Sequence, residues 1–119
     1  MNDQPVPQVS EADIARIVAR EFSPKHAAEV VLALGEYRKQ SWHREVIRVR
    51  VAILKLANGR RDRLSEAIQT ANKDYRDVLS QAEYPRYFQE ISPSENDALK
   101  RSKAIAADWR HDEEWLRKN

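Results

Sequence analysis

The sequence predicts an all-α fold, a compact bundle of about five helices, on three observations. Only two glycines and five prolines occur in 119 residues, which leaves little material for the tight turns of β-hairpins. Apolar residues recur at helical spacing, and no useful stretch alternates with a period of two. Start and stop signals for helices recur along the chain. We expect a disordered lead-in at residues 1–9 and a single helical domain over residues 10–119.

Two helices are predicted in the first third of the chain. The first begins after Ser10, because Ser10 and Asp13 have the spacing of a capping box, and it runs to about Glu21. The second begins at Ser23-Pro24, since proline is favoured at the first helical position. It runs to about Lys39. Its predicted packing face consists of Ala27, Val30, Val31 and Leu34.

The third and fourth helices are predicted to form a central hairpin. Ser41 is the expected start of the third helix, and Asn58-Gly59 ends it with residues that accept left-handed backbone. The third helix is apolar over most of its circumference, which is typical of a helix surrounded by others. The fourth runs from about Asp62 to Glu83. The apolar arcs of the third helix contain Trp42, Val46, Ile47, Val49, Val51, Ile53, Leu54 and Leu56.

A fifth helix is predicted from the capping box that begins at Ser92 to about Leu116. Its inward face is expected to contain Leu99, Ala106, Trp109 and Leu116, with Ile105 at the edge. Trp115 falls outside that face. Because an exposed tryptophan leaves a large apolar area in water, we expect the segment from Trp109 to Leu116 to contact a second chain.

The charges are concentrated in the middle of the chain. From Arg38 to Arg63 there are nine basic residues and two acidic ones, whereas both flanks are net acidic. This block predicts contact with a polyanion, or neutralisation by the acidic flanks, and the sequence does not decide between them. The candidate polyanion contacts are Arg44, Arg48 and Lys55 on the third helix and Arg60, Arg61 and Arg63 after it.

Arg50 lies between the two apolar arcs of the third helix. A buried guanidinium needs a carboxylate partner, because an unpaired buried charge is strongly destabilising. Asp74 is the first expected partner and Glu29 the second. Arg48, in contrast, is expected to be an exposed charge.

Part of the chain resembles a group of small uncharacterised bacterial proteins. The residues that carry the resemblance are Glu45–Leu56, Lys73–Leu79 and Ala82–Pro85, within a region from Tyr37 to about Tyr87. The resemblance implies a bacterial source and a small protein that stands alone. It implies no activity, cofactor or catalytic residue.

The sequence offers little that is typical of an enzyme. It contains no cysteine, no glycine-rich phosphate loop and no nucleophile elbow. His26 with Glu29, and Asp108 with His111, have the spacing of metal ligands on one helix face, but solvated surface residues explain both pairs better. We therefore expect no enzyme activity, no cofactor and no metal. No apolar run is long enough to cross a membrane, and a cytoplasmic location is the default.

The preferred function is a protein–protein interaction or regulatory module that associates with itself. Tyr84, Arg86, Tyr87 and Phe88 bring three aromatic rings and an arginine together, a composition typical of binding hot spots. With Trp109 and Trp115 they are the candidate partner contacts. Packing of the same rings at one end of the bundle is the alternative. The second candidate function is weak nucleic-acid binding through the basic block.

Overall fold

The computed structural model describes residues 6–37, 45–90 and 97–118. Every regular element within these ranges is an α-helix, which confirms the all-α fold class. The described helices are α1 (Glu11–Glu21), α2 (Pro24–Leu34), α3 (Val46–Ala57), α4 (Arg61–Lys73), α5 (Tyr75–Glu83), α6 (Pro85–Glu90) and α7 (Ala98–Arg117). The described helices outnumber the expected five for two reasons. The predicted fourth helix is divided into α4 and α5, and the connection predicted after it contains α6.

The first helix is confirmed in its bounds and its cap. The Asp13 backbone N–H donates to the Ser10 hydroxyl, and the Ser10 N–H donates to the Asp13 carboxylate at 2.9 Å. The second helix starts at Pro24 as predicted but ends at Leu34, five residues early. Beyond it, residues 35–37 form a tight turn that buries Tyr37 completely.

The third helix is central, as predicted. It packs against α1, α4 and α5, and Ile53 and Leu54 are completely buried between them. Asn58 and Gly59 both have positive φ, at 51° and 78°, and the Asn58 N–H donates to the Leu54 carbonyl. This left-handed pair ends α3 and places α4 beside it. The predicted start at Ser41 and the predicted core residue Trp42 lie outside the described residues.

The predicted fourth helix is wrong as a single element, because it breaks at Asp74. Asp74 has extended backbone with φ −158°, and its carboxylate accepts a hydrogen bond from the Arg76 N–H at 3.0 Å. Asp74 therefore ends α4 and caps α5. Aspartate is unfavourable inside helices because its carboxylate can bind nearby backbone N–H groups in place of the helical carbonyls. Pro85 then begins α6, where the sequence predicted a connection.

The inward face predicted for the last helix is confirmed at Leu116, which is completely buried, and wrong at Leu99 and Ala106. Leu99 is 65% exposed and Ala106 is exposed, whereas Trp109 is half-buried. The face that α7 turns inward consists of Ala104, Asp108, Asp112 and Leu116, spaced four residues apart. The predicted start at Ser92 lies outside the described residues, and Asp97 caps the helix by accepting from the Lys100 N–H.

The start of the described chain lies against the end of α7. Pro7 is buried, Val9 packs on the core, and Arg117 donates to the Gln8 carbonyl at 3.3 Å. None of the described helices is both long enough and apolar enough to cross a bilayer.

Candidate docking surfaces

The basic residues predicted to face outward on α3 point into the protein instead. Arg48 forms a two-bond ion pair with Glu83 of α5, its Nε lying 2.8 Å from Oε2 and its Nη2 lying 2.6 Å from Oε1. Only 20% of the Arg48 side chain and 6% of the Glu83 side chain are exposed. The expectation that Arg48 is an exposed charge is therefore wrong.

Lys55 is the second cation of α3 that turns inward. Its Nζ lies 2.7 Å from Oδ1 of Asp112 on α7 and 2.6 Å from the Ala82 carbonyl. The two charged side chains are 13% and 6% exposed. Arg48 and Lys55 both form ion pairs inside the bundle, so neither side chain is placed to contact phosphates. Arg44, the third predicted contact on this helix, lies outside the described residues.

The other arginines of the basic block lie on the surface at the start of α4. Arg60 pairs with Asp62 at 2.9 Å, and Arg61 pairs with Glu29 of α2 at 2.8 Å. Arg63 is exposed. The partners proposed for Arg50 are occupied elsewhere, since Asp74 binds Arg76 and Glu29 binds Arg61.

Burial governs the titration of the two inward-facing carboxylates. Burial raises the pKa of Glu83 more than its hydrogen bonds from Arg48 lower it. Burial likewise raises the pKa of Asp112 despite the hydrogen bond from Lys55. Burial raises the pKa of the Tyr84 hydroxyl, and the charges of Glu83 and Asp112 raise it further.

The aromatic segment predicted to bind a partner is divided between core and surface. Tyr84 is buried, with 3% of its surface exposed, whereas Phe88 is 55% exposed. Tyr87 meets Phe88 edge to face, with ring centroids 5.3 Å apart. Asp108 fixes this segment from α7, because its carboxylate accepts from the N–H groups of Arg86 and Tyr87 at 3.3 and 3.0 Å.

Trp115 packs on its own chain. It is half-buried against the core, and the Arg20 guanidinium lies 4.8 Å from its ring centroid. Arg20 also donates to the carbonyls of Trp115 and Lys118, which holds the last turn of α7 against α1. Leu116 is completely buried. The segment from Trp109 to Leu116 is thus largely occupied by contacts within one chain.

Among the large apolar side chains that the structure describes, the one with the highest exposed fraction is on α2, where the sequence predicted packing. Leu32 is 77% exposed and Val31 is 51% exposed, although Val31 was expected on the packed face. Val30 and Leu34 form the buried side of the same helix. The sequence could have predicted this exposure from the composition of α2. Eight of its eleven residues are apolar, which is more apolar surface than one neighbouring helix can cover.

A groove of about 400 Å³ separates α2 from α4. Its apolar floor is formed by Val30 and Ala33 of α2 and by Leu64 and Ile68 of α4. The Arg61–Glu29 ion pair crosses its rim. At 100° per residue, the exposed Glu29 lies between Leu32 and the groove residue Ala33 on the surface of α2, so the exposed apolar side chains and the groove are separate surfaces.

The two carboxylates considered as metal ligands have other partners, since Glu29 binds Arg61 and Asp108 binds the backbone of α6. His26 lies 3.5 Å from Glu29 in a pair at the surface. Within the ranges that the structure describes, no three histidine or carboxylate side chains converge on one point.

Comparison with known proteins assigns no family to this chain. No protein-family model, no curated protein and no solved structure matches it. The resemblance over residues 37–87 stays a prediction.

Proposed function

We propose that this protein is an interaction module that binds a second copy of itself through the outer face of α2. The observation that carries the proposal is the exposure of Leu32 at 77%, beside Val31 at 51%, on a helix in which eight of eleven residues are apolar. Soluble proteins generally cover such adjacent apolar side chains, and an exposed group of them marks a contact surface.

The charges at the two ends of this face favour a second copy as the occupant. At 100° per residue, Lys25, Ala28 and Leu32 lie within about 60° of one another on the surface of α2, and Glu36 lies in the turn that follows the helix. Lys25 and Glu36 are both exposed and stand at opposite ends. If two α2 helices pack antiparallel about a twofold axis, each Lys25 meets the Glu36 of the other copy. The same arrangement places each Leu32 against an Ala28, so the surface is complementary to itself.

The contact that we propose is limited to the outer face of α2, because the exposed Glu29 separates this face from the groove between α2 and α4. One helix face is small among specific interfaces, and we expect dissociation in the micromolar range.

Sedimentation velocity over a concentration series up to about 200 µM tests the proposal. We expect the wild-type chain to shift from monomer to dimer over this series and Leu32→Asp to remain monomeric. Leu99→Asp is the matched control, because it places the same charge at another exposed leucine, 65% exposed on α7. We expect this control to dimerise like the wild type.

Three results would overturn the proposal. A wild-type chain that stays monomeric throughout the series does not self-associate. If Leu32→Asp dimerises with the wild-type dissociation constant, the contact does not involve the outer face of α2. Loss of the dimer in Leu99→Asp but not in Leu32→Asp favours a contact through α7, as the sequence alone suggested.

A further inference from the structure

The described core is formed almost without α7. Among the buried apolar residues of this core, Leu116 is the one that α7 contributes, and the half-buried Trp115 packs against it. The other core residues belong to α1–α5 and to the segments that follow α1 and α2. Most of the apolar area that holds α1–α5 together is therefore buried without the help of α7.

The contacts of α7 with the rest of the bundle differ along its length. Residues 98–103, at its start, are exposed apart from the half-buried Arg101. In its middle, Asp108 joins α7 to α6 by accepting from the Tyr87 N–H at 3.0 Å. The side-chain contacts described with α1 and α3 lie in residues 112–118, the last turns of the helix, which we call the latch.

The latch is held on α3 and α1 largely by polar contacts. The Asp112 carboxylate accepts from the Nζ of Lys55 at 2.7 Å, and both side chains are nearly buried. The carbonyls of Trp115 and Lys118 accept from Arg20 at 2.8 and 2.9 Å. Carbonyl groups at the end of a helix have no donor within the helix, so this guanidinium satisfies them from α1.

We propose that the latch opens as a unit while α1–α5 remain folded, so that the chain has a closed state and an open state. Opening returns Lys55 and Asp112 to water, and their hydration offsets much of the attraction that is lost. Detaching α3 instead exposes several completely buried apolar side chains, for which water offers no such compensation. Opening also uncovers the apolar position that Leu116 fills, so the open state has a surface that the closed state lacks.

Hydrogen exchange of single backbone amides tests the latch, followed by NMR in the full chain over a series of low urea concentrations. Relative to unfolded peptides, the amides of residues 112–116 should exchange at least about a hundredfold faster than those of Ile53 and Leu54. Because opening exposes little surface, latch exchange should change little with urea, whereas exchange in α3 should accelerate steeply. The latch contains no residue of α2, so the result does not depend on the proposed self-association.

Two matched substitutions separate opening of the latch from unfolding of the whole chain. Leu116 and Ile53 are both completely buried, the first in the latch and the second on α3. Leu116→Ala should accelerate latch exchange at least about tenfold. Ile53→Ala should accelerate exchange in α3 by a similar factor but latch exchange less than about threefold, because it destabilises the closed and open states equally. Circular dichroism reports whether both variants are folded, and Leu116→Val with Ile53→Val replaces the pair if either is not.

Four results would contradict the latch. Equal exchange rates with equal urea dependence in the latch and in α3 would mean that the latch opens only when the whole chain unfolds. Equal acceleration of latch exchange by the two alanine variants would lead to the same conclusion. Exchange that rises steadily from residue 112 to residue 116, with no effect of Leu116→Ala at Asp112, indicates fraying of single residues. A Leu116→Val chain that does not fold would place α7 within the essential core.

Discussion

The two outer helices α2 and α7 are attached to the same core by opposite kinds of contact. α2 is mostly apolar, yet it leaves Leu32 77% exposed. α7 is mostly polar, yet it buries two aspartates, Asp108 at 3% and Asp112 at 4% exposure. The polar helix is held inside by ion pairs and backbone hydrogen bonds, and the apolar helix keeps part of its apolar surface outside.

This difference separates the contacts that stabilise the fold from those available to a partner. The aspartates of α7 are satisfied within the chain, by Lys55 and by the N–H groups of α6. The outer apolar side chains of α2, Val31 and Leu32, remain exposed to solvent. We therefore place the self-association surface on α2, although the tryptophans of α7 are the more conspicuous residues in the sequence.

A substitution in the common core sets the scale of the comparison. Ile53 is completely buried on α3, so Ile53→Ala removes apolar contacts and leaves a cavity. We expect the free energy of unfolding to fall by roughly 2–5 kcal/mol in urea titrations of the monomer. Leu32→Ala, at the exposed face of α2, is the control and should change it by about 0.5 kcal/mol or less. Similar losses for both variants would show that α2 is packed as tightly as α3.

The attachment of α7 is tested by the buried pair of Lys55 and Asp112. Lys55→Met leaves the Asp112 carboxylate buried without its cation, and we expect a loss of about 3 kcal/mol. Adding Asp112→Leu removes the stranded charge and should restore most of that loss, since an apolar pair of similar volume often replaces a buried ion pair. A double variant no more stable than Lys55→Met would show that the ion pair itself, rather than the stranded charge, holds α7.

Two carboxylates predict opposite dependences of stability on pH. Burial raises the pKa of Glu83 above 4.5, so the folded chain holds the proton more strongly, and this group's contribution to stability falls as the pH rises through the raised pKa. Burial acts in the same direction on Asp13, but hydrogen bonds from Arg16 and Ser10 hold its pKa below 3.8. The contribution of Asp13 is therefore present above 3.8 and lost as the pH falls.

Urea unfolding between about pH 2.5 and pH 7 measures both effects, and a change of one pKa unit corresponds to about 1.4 kcal/mol. The stability of the wild type relative to Glu83→Gln should decrease as the pH rises. Its stability relative to Asp13→Asn should increase over the same range. Slopes of the same sign for the two variants would contradict the assigned environments.

The local signals in the sequence predicted the core of the fold well. The cap at Ser10 and the left-handed pair Asn58-Gly59 depend only on neighbouring residues, and both are confirmed. Asp74 shows the limit of such signals, because an aspartate is compatible with a helix interior and with a cap. The sequence did not show that its side chain would bind the Arg76 N–H and divide the helix.

The candidate surfaces were harder to predict because they depend on contacts between distant residues. Lys55 and Asp112 are 57 positions apart, and the periodicity of neither helix shows that the two side chains pair. Once they pair, the inward face of α7 rotates away from Leu99 and Ala106. The exposure of Leu32 likewise depends on how many neighbours α2 has, and the periodicity of its apolar residues does not contain that information.

The most direct test of self-association through α2 is a charge exchange between its two ends, measured by sedimentation equilibrium. Lys25→Glu and Glu36→Lys each place like charges together in the antiparallel pair, and each should weaken the dimer severalfold. The double variant restores opposite charges across the twofold axis, and we predict that its dimer recovers to near the wild-type dissociation constant. A double variant weaker than either single variant would contradict the proposed packing of α2 on α2.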